Sequence, residues 1–596
     1  MPPLTAILRN LLAASLTATL TATLASATPA ADVQSRAAPE PATEPVRGAT
    51  GAALPSLVRS ERQMIVTANP HATQAGIAVL RRGGSAADAA VAALLVLNVV
   101  EPQSSGLGGG AFALVHGPAG LTSWDARETA PAAAGPELFL EDGAPLAWIE
   151  ASESGRAIGV PGLARLLEAL HRRHGRLSWA DLVAPAITLA EEGFPVSPRL
   201  AGLVDQLADR LARTEAGARF LPNGRPIAAG TRFVQPELAK TLTRLAVEGA
   251  DALYDGPVAD EILAAVARGP RPGALSATDL AGYEVVERAP VCTVYRAIWR
   301  ICSMGPPSSG ATTVGQILGI LGRFKPTDFH RSDPHLWHLF AESSRLAYAD
   351  RAAYLGDPDT VAVPVTGLLD PDYLAARARL IHGFTASAGP AEAGTPPGAA
   401  PRAPQASDTS PGTTHLSVID AQGLAISLTA SIETAFGSGR MAAGLLLNNQ
   451  LTDFALAPRG PDGGLKANAA GPSKRPRSSM APTIVYRMGS ETPVLLLGSP
   501  GGSRIPEYVA GALVGLLDLG LDPAEAAALF HVSHRNRAAL VVERDRTPED
   551  LAQALARFGH RVEDAQMASG LAIIRIGPEG IAAAADPRRE GTAAGD

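Results

Sequence analysis

Apolar residues along the 596-residue chain change their period several times, and each change marks an element. From His71 the spacing is helical as far as Arg82, where Gly83-Gly84 breaks it. Ser85-x-x-Asp88 then forms a capping box that opens a buried helix through "AAVAALLVLNVV", Ala89 to Val100. A second box, Ser178-x-x-Asp181, opens a helix ending near Gly193. Between these helices "SSGLGGGAFALVHGPAGLTSWDARE" alternates apolar and polar residues around a Gly-Pro turn, which predicts strands. Residues 198–383 read as mainly helical, interrupted by "GPPSSGATT" and by a possible hairpin in "PVCTVYRAIWRIC".

Residues 386–412 hold no apolar period and predict a mobile, exposed Pro/Gly/Ala-rich tail. The pattern then inverts at "TTHLSVID". Leu416 and Val418, a turn at Asp420–Gly423, then Leu424, Ile426 and Leu428 predict two paired strands. Ile484 to Tyr486 and Val494 to Leu497 predict two more, and a helix follows "SPGGS" to about Leu519. The class is mixed, with sheet that helices cover on both faces. Residues 581–596 read as a disordered tail.

With 46% hydrophobic and 18% charged residues the chain can bury a large core, and a net charge of -7 offers no basic stripe for nucleic acid. Arg9, an apolar run from Leu11 to Leu24 and Ala25-Ser26-Ala27 predict a signal peptide over residues 1–27, followed by a disordered linker over 28–54. The protein is therefore expected to be exported, to the periplasm or beyond. The longest internal apolar run is too short to span a bilayer, so no membrane span is expected. Cys292 and Cys302 face each other across the possible hairpin, where a disulfide and a reduced pair both remain open.

Among motifs, "GLGGG" has the wrong spacing for a dinucleotide fingerprint, and no nucleophile elbow is present. His531 and His534 read as surface residues on a helix, without a third ligand for a metal. No metal or cofactor is expected. Thr413 opens a strand after a mobile segment. Cleavage before it would free an α-amine able to act as base for the adjacent hydroxyl.

Six blocks in order, "EPQSSGLGGGAF", "GPPSSGATT", "TTHLSVID", "LLNNQLTDF", "KRPRSSMAPTIV" and "GSPGGSRI", resemble the γ-glutamyltranspeptidase (glutathione hydrolase) family over about residues 55–580. The resemblance implies an α+β fold, the four-layer αββα sandwich of N-terminal-nucleophile hydrolases. It further implies self-cleavage between Gly412 and Thr413, giving a heterodimer of a large subunit, with its core at 55–385, and a small catalytic subunit, 413–580. Thr413 becomes the nucleophile, with Thr414 on the opposite face of the strand. Ser431 stands where many members have Thr and supports the nucleophile, and the N–H groups of Gly501 and Gly502 form the oxyanion hole.

Arg127, Ser478 and Ser479 are expected to hold a donor's α-carboxylate, and Gln450 and Asp453 its α-ammonium. Glu433 replaces an Asn of better-known members and adds charge at the ammonium end. The stretch from Ala455 to Ser473 is short, which implies no lid over the pocket. Expected donors are glutathione and γ-glutamyl amides, with water, amino acids or dipeptides as acceptors. The alternatives are an acylase of the same fold acting on glutaryl or β-lactam side chains or polyglutamate, and an inactive ligand-binding homologue.

Overall fold

The computed structural model describes residues 55–325, 329–400, 402–405 and 412–596. The expected signal and linker, 1–54, lie outside the described residues, as does the stretch 406–411 before Gly412. Two seven-stranded sheets, antiparallel throughout, form the centre. In spatial order the first runs Val58–Ser60, Gly580–Ala585, Ala572–Gly577, Pro493–Leu497, Thr483–Arg487, Trp299–Ser303, Val291–Tyr295. The second runs Thr592–Gly595, Met64–Thr67, Gly412–Ile419, Ala425–Glu433, Gly110–Gly117, Gly120–Ala126, Val286–Arg288.

Period-two alternation distributes side chains between the layers. In the second sheet Met64, Val66, Phe112 and Leu114 join Ile484 and Leu496 of the first sheet in one core. Ile65, Ala111, Ala113, Leu416, Val418, Ile426 and Leu428 point the other way. They pack on the helices Ala86–Val100 and Leu163–His174 in a separate core. Helices Gly310–Leu321, Pro334–Tyr354 and Ile505–Leu517 supply apolar residues to the core of the first sheet. The layers are helix, sheet, sheet, helix: the αββα sandwich that the resemblance implied.

The predicted capping box at Ser85 and Asp88 is present in both directions. At Ser178 only the forward half forms, the hydroxyl accepting from the Asp181 amide. The possible cysteine hairpin is real. Arg296 and Ala297 turn at positive φ, Cys292 lies directly opposite Cys302, and the two are joined by a disulfide.

Three expectations are corrected. Residues 581–596 are not a disordered tail: they complete the strand Gly580–Ala585 and form Thr592–Gly595, which pairs with Met64–Thr67. "GIAAAA" and "TAAG" are too small and uniform to show a period, and partners from the other end of the chain order them. The described part of the expected tail, 386–400 and 402–405, is anchored. Ala386 donates to Phe558 O (2.7 Å), Gly394 to Asp350 (2.8 Å) and Gln405 to Ala352 O (2.9 Å). Hydrogen bonds from its backbone hold the segment, together with Ala391, Ala393 and Ala399, which pack against apolar clusters. His531 and His534 are neither helical nor exposed; they flank the strand Val532–Ser533 and are buried, His531 against Tyr508.

Candidate active site

The strand Gly412–Ile419 is buried along its whole length, and its register against Ala425–Glu433 shifts between Gly412 and Thr413. The residue at 412 has no room for a side chain: a Cβ there would lie 2.3 Å from the carbonyl carbon and oxygen of Thr434. Beyond this bulge Thr413 lies opposite Ser431. Thr413, His415 and Ser417 share a parity opposite to Leu416 and Val418, so they face the other sheet, whereas Thr414 shares the helix-facing parity, as expected.

The hydroxyls form a directed chain. Ser431 Oγ donates to Gly412 O (3.0 Å) and accepts from the Glu433 amide (2.9 Å). Its single proton is thereby used, so at the 3.1 Å contact with Thr413 Oγ1 the threonine is the donor. Thr413 O in turn accepts from Arg589 Nη1 (3.0 Å), which the C-terminal segment delivers. His415 lies two residues along the same face, but burial pushes its pKa down to about 3, so it is a neutral scaffold group. Nδ1 contacts Thr429 Oγ1 and Nε2 contacts Ser417 Oγ.

Gly501 and Gly502 sit at the entrance to the helix Ile505–Leu517 with φ of 139° and 58°. A Cβ at Gly501 would stand 2.4 Å from the Tyr508 ring. The same segment reaches the strand Gly412–Ile419, because a Cβ at Gly498 would strike the His415 ring at 2.3 Å.

Two residues past Ser431, Glu433 opens a buried cluster of charged and polar side chains. Gln450 Nε2 donates to Glu433 Oε2 (2.7 Å) and to Asp453 Oδ2 (3.2 Å). Asp453 Oδ2 also accepts from Arg127 Nη2. The fully buried Arg127 further donates to Pro476 O and Arg477 O, both at 3.1 Å, and its Nη1 lies 3.7 Å from Glu128. Its other neighbour in sequence, Asp125, pairs instead with Arg475 and Arg288. Beside Arg477 O lie Ser478, whose Oγ accepts from the Met480 amide, and Ser479, whose Oγ accepts from Arg351 Nη2 (2.6 Å). Arg127, Glu433, Gln450 and Asp453 thus form one connected network, with Ser478 and Ser479 at its arginine end.

Burial dominates the electrostatics. It raises the Glu433 carboxyl well above the usual range, reinforced by Asp453, and raises Glu128 to about 7 against the pull of Arg127. Glu128, Arg351, Arg477 and Arg589 were not singled out from sequence. The "RRE" at 588–590 was visible but fell in the expected tail, and nothing in the pattern around Arg351 distinguishes it from a helix-surface residue.

A helix–sheet–sheet–helix sandwich with a threonine at the start of a central strand defines the N-terminal-nucleophile hydrolase class. Residues 72–596 match the family model "Gamma-glutamyltranspeptidase", and the chain belongs to that family of enzymes. It is 38% identical over 510 residues to the glutathione hydrolase proenzyme of Bacillus subtilis (strain 168), covering 84% of this chain and 85% of that one. To the glutathione hydrolase proenzyme of Escherichia coli (strain K12) it is 36% identical over 543 residues, covering 89% and 91%. Among solved structures, cephalosporin acylase from Bacillus halodurans superposes with a TM-score of 0.82 at 28% identity, over 92% of this chain and 98% of the other.

Proposed function

We propose that this protein is an exported γ-glutamyl hydrolase and transferase that cuts itself between Gly412 and Thr413 and then acts on glutathione and related γ-glutamyl amides. The observation that carries the reading is the chain Thr413 Oγ1 to Ser431 Oγ to Gly412 O, at 3.1 and 3.0 Å. In self-cleavage Thr413 Oγ1 attacks the Gly412 carbonyl carbon and passes its proton to Ser431, whose own proton moves toward the carbonyl oxygen. The C–N bond breaks as the proton on that oxygen passes to the Thr413 nitrogen and the carbonyl re-forms as an ester. Water then hydrolyses the resulting ester and leaves Thr413 with a free α-amine.

In turnover that amine is the base. It accepts the Thr413 hydroxyl proton as Oγ1 attacks the γ-carbonyl, and it returns the proton to the departing amine. The N–H groups of Gly501 and Gly502 stabilise the tetrahedral oxyanion. Water, an amino acid or a dipeptide resolves the γ-glutamyl ester. The donor's α-carboxylate takes Arg127, Ser478 and Ser479, while its ammonium takes Asp453, Gln450 and Glu433. Arg127 and Asp453 pair with each other, so a bound zwitterion exchanges one ion pair for two.

A second reading, an acylase for glutaryl-type side chains, draws support from the likeness to cephalosporin acylase. Intact mass and N-terminal sequencing of the wild type beside Thr413→Ala test the cut: two chains, the smaller starting at Thr413, against one. Comparing γ-glutamyl with glutaryl p-nitroanilide then separates the two activities, and a wild type that stays whole overturns both.

A further inference from the structure

Two arginines behind Ser478 and Ser479 have unusual company. Arg351 and Arg477 are almost wholly buried, 3% and 2% exposed. Among the described residues neither forms an ion pair with a carboxylate. Arg351 donates from Nε to Ser309 Oγ (2.8 Å) and from Nη2 to Ser479 Oγ (2.6 Å). Arg477 Nη1 donates to Arg351 O (3.1 Å), and its Nη2 is buried with no hydrogen-bond partner.

A buried cation without a counter-ion is costly, because its hydration is lost and nothing replaces it. Burial and the adjacent Arg351 push the Arg477 guanidinium well below its ordinary pKa. The one carboxylate whose charge favours both cations is Asp453, and it is already bonded to Arg127. The nearby Glu433 is held toward its neutral form. The cluster therefore carries an excess of positive charge at its serine end.

We infer that Arg351 and Arg477 form the counter-charge for the acyl donor's carboxylate, Arg351 acting through the Ser479 hydroxyl and Arg477 through its free Nη2. This assignment rests on the proposed γ-glutamyl function and makes Arg477 a specificity residue for donors with a carboxylate at the acyl terminus. The carboxylate selects the donor through three guanidiniums, while the ammonium is read separately by Asp453, Gln450 and Glu433.

The test uses the processed two-chain protein and three free ligands: L-glutamate, glutarate, which lacks the ammonium, and 4-aminobutyrate, which lacks the α-carboxylate. Calorimetric titration of wild type, Arg477→Met and Arg477→Lys runs beside turnover of γ-glutamyl p-nitroanilide. Arg477→Met should weaken glutamate and glutarate about tenfold and leave 4-aminobutyrate unchanged, the size expected for one charge-assisted hydrogen bond. KM for the anilide should rise by the same factor with kcat unchanged, and lysine should restore part of the loss. The melting temperature of ligand-free Arg477→Met should rise, since an unpaired buried charge is gone.

Unchanged glutamate affinity, or an equal loss for all three ligands, overturns the assignment, as does a wild type that binds none of them. A wild type that shows the binding pattern but never turns over the anilide rejects the γ-glutamyl activity while the arginine assignment stands.

Discussion

At the Thr413 hydroxyl the contacts are neutral, hydroxyl to hydroxyl and on to a carbonyl over 3.1 and 3.0 Å, with Arg589 donating to the Thr413 carbonyl oxygen, whereas the cluster around Glu433 crowds carboxylates and guanidiniums into a buried space. In the proposed mechanism the base at Thr413 arises only when the chain is cut. The cluster is charged from the start, and burial raises the Glu433 carboxyl and lowers the Arg477 guanidinium well away from their ordinary titration ranges. On that proposal reactivity waits for a covalent change, whereas the charged cluster is in place from the start.

Thr413→Ala removes the attacking atom and should abolish both processing and turnover, leaving one intact chain on a denaturing gel. Ser431→Ala deletes the proton relay but leaves Oγ1, so processing should slow by roughly 10²-fold in a timed mass-spectrometric assay, in the range of a lost proton-transfer group. A Ser431→Ala protein that matured at the wild-type rate would break the idea of a neutral relay.

Asp453→Asn acts on the other half of the comparison. Processing should be normal, while KM for γ-glutamyl p-nitroanilide rises by about 10–100-fold, as expected for a charge pair at a binding site. Slowed processing in this variant would show that the two regions are coupled.

Glu128 gives a smaller, pH-dependent effect. Its folded pKa of about 7 lies above the ordinary 4.5, so the folded state holds this proton more tightly than the unfolded chain does. Stability is therefore fullest at low pH and falls as pH rises from about 4.5 through 7. Glu128→Gln should remove that fall and gain on the order of 2–3 kcal/mol over wild type at pH 8, read by urea titration at pH 5 and pH 8. An unchanged difference between the two pH values would place Glu128 outside the electrostatic balance.

The smallest effect on chemistry is expected from Cys292→Ala with Cys302→Ala, far along the outer edge of the first sheet. Opening a ten-residue loop should cost about 2–3 kcal/mol of stability with KM and kcat unchanged.

Much of this design is local and could be read directly. Thr413 announces itself because a segment without period meets a strongly alternating strand, and the Ser85 box and the cysteine hairpin are short-range geometry. Gln450 and Asp453 were visible through the family blocks, but the bonding of Asp453 to Arg127 was not, since the two come from segments more than three hundred residues apart. His531 and His534 were misread because a two-residue strand carries no period, and their burial comes from residues such as Tyr508 and Ser569 that arrive by other routes.

The amino-acid order alone determined the alternation that divides strands of the second sheet, such as Met64–Thr67 and Gly110–Gly117, between two cores, the threonine near the start of its strand, and a glycine before it. These follow from backbone geometry within a few residues. Only the tertiary structure decided that the last sixteen residues carry Arg589 to the Thr413 carbonyl, and that Arg351 and Arg477 lie buried without a carboxylate beside the serines. The physical reason is range: hydrogen bonds and desolvation depend on what surrounds a group in space, and here the surroundings come from segments more than a hundred residues apart.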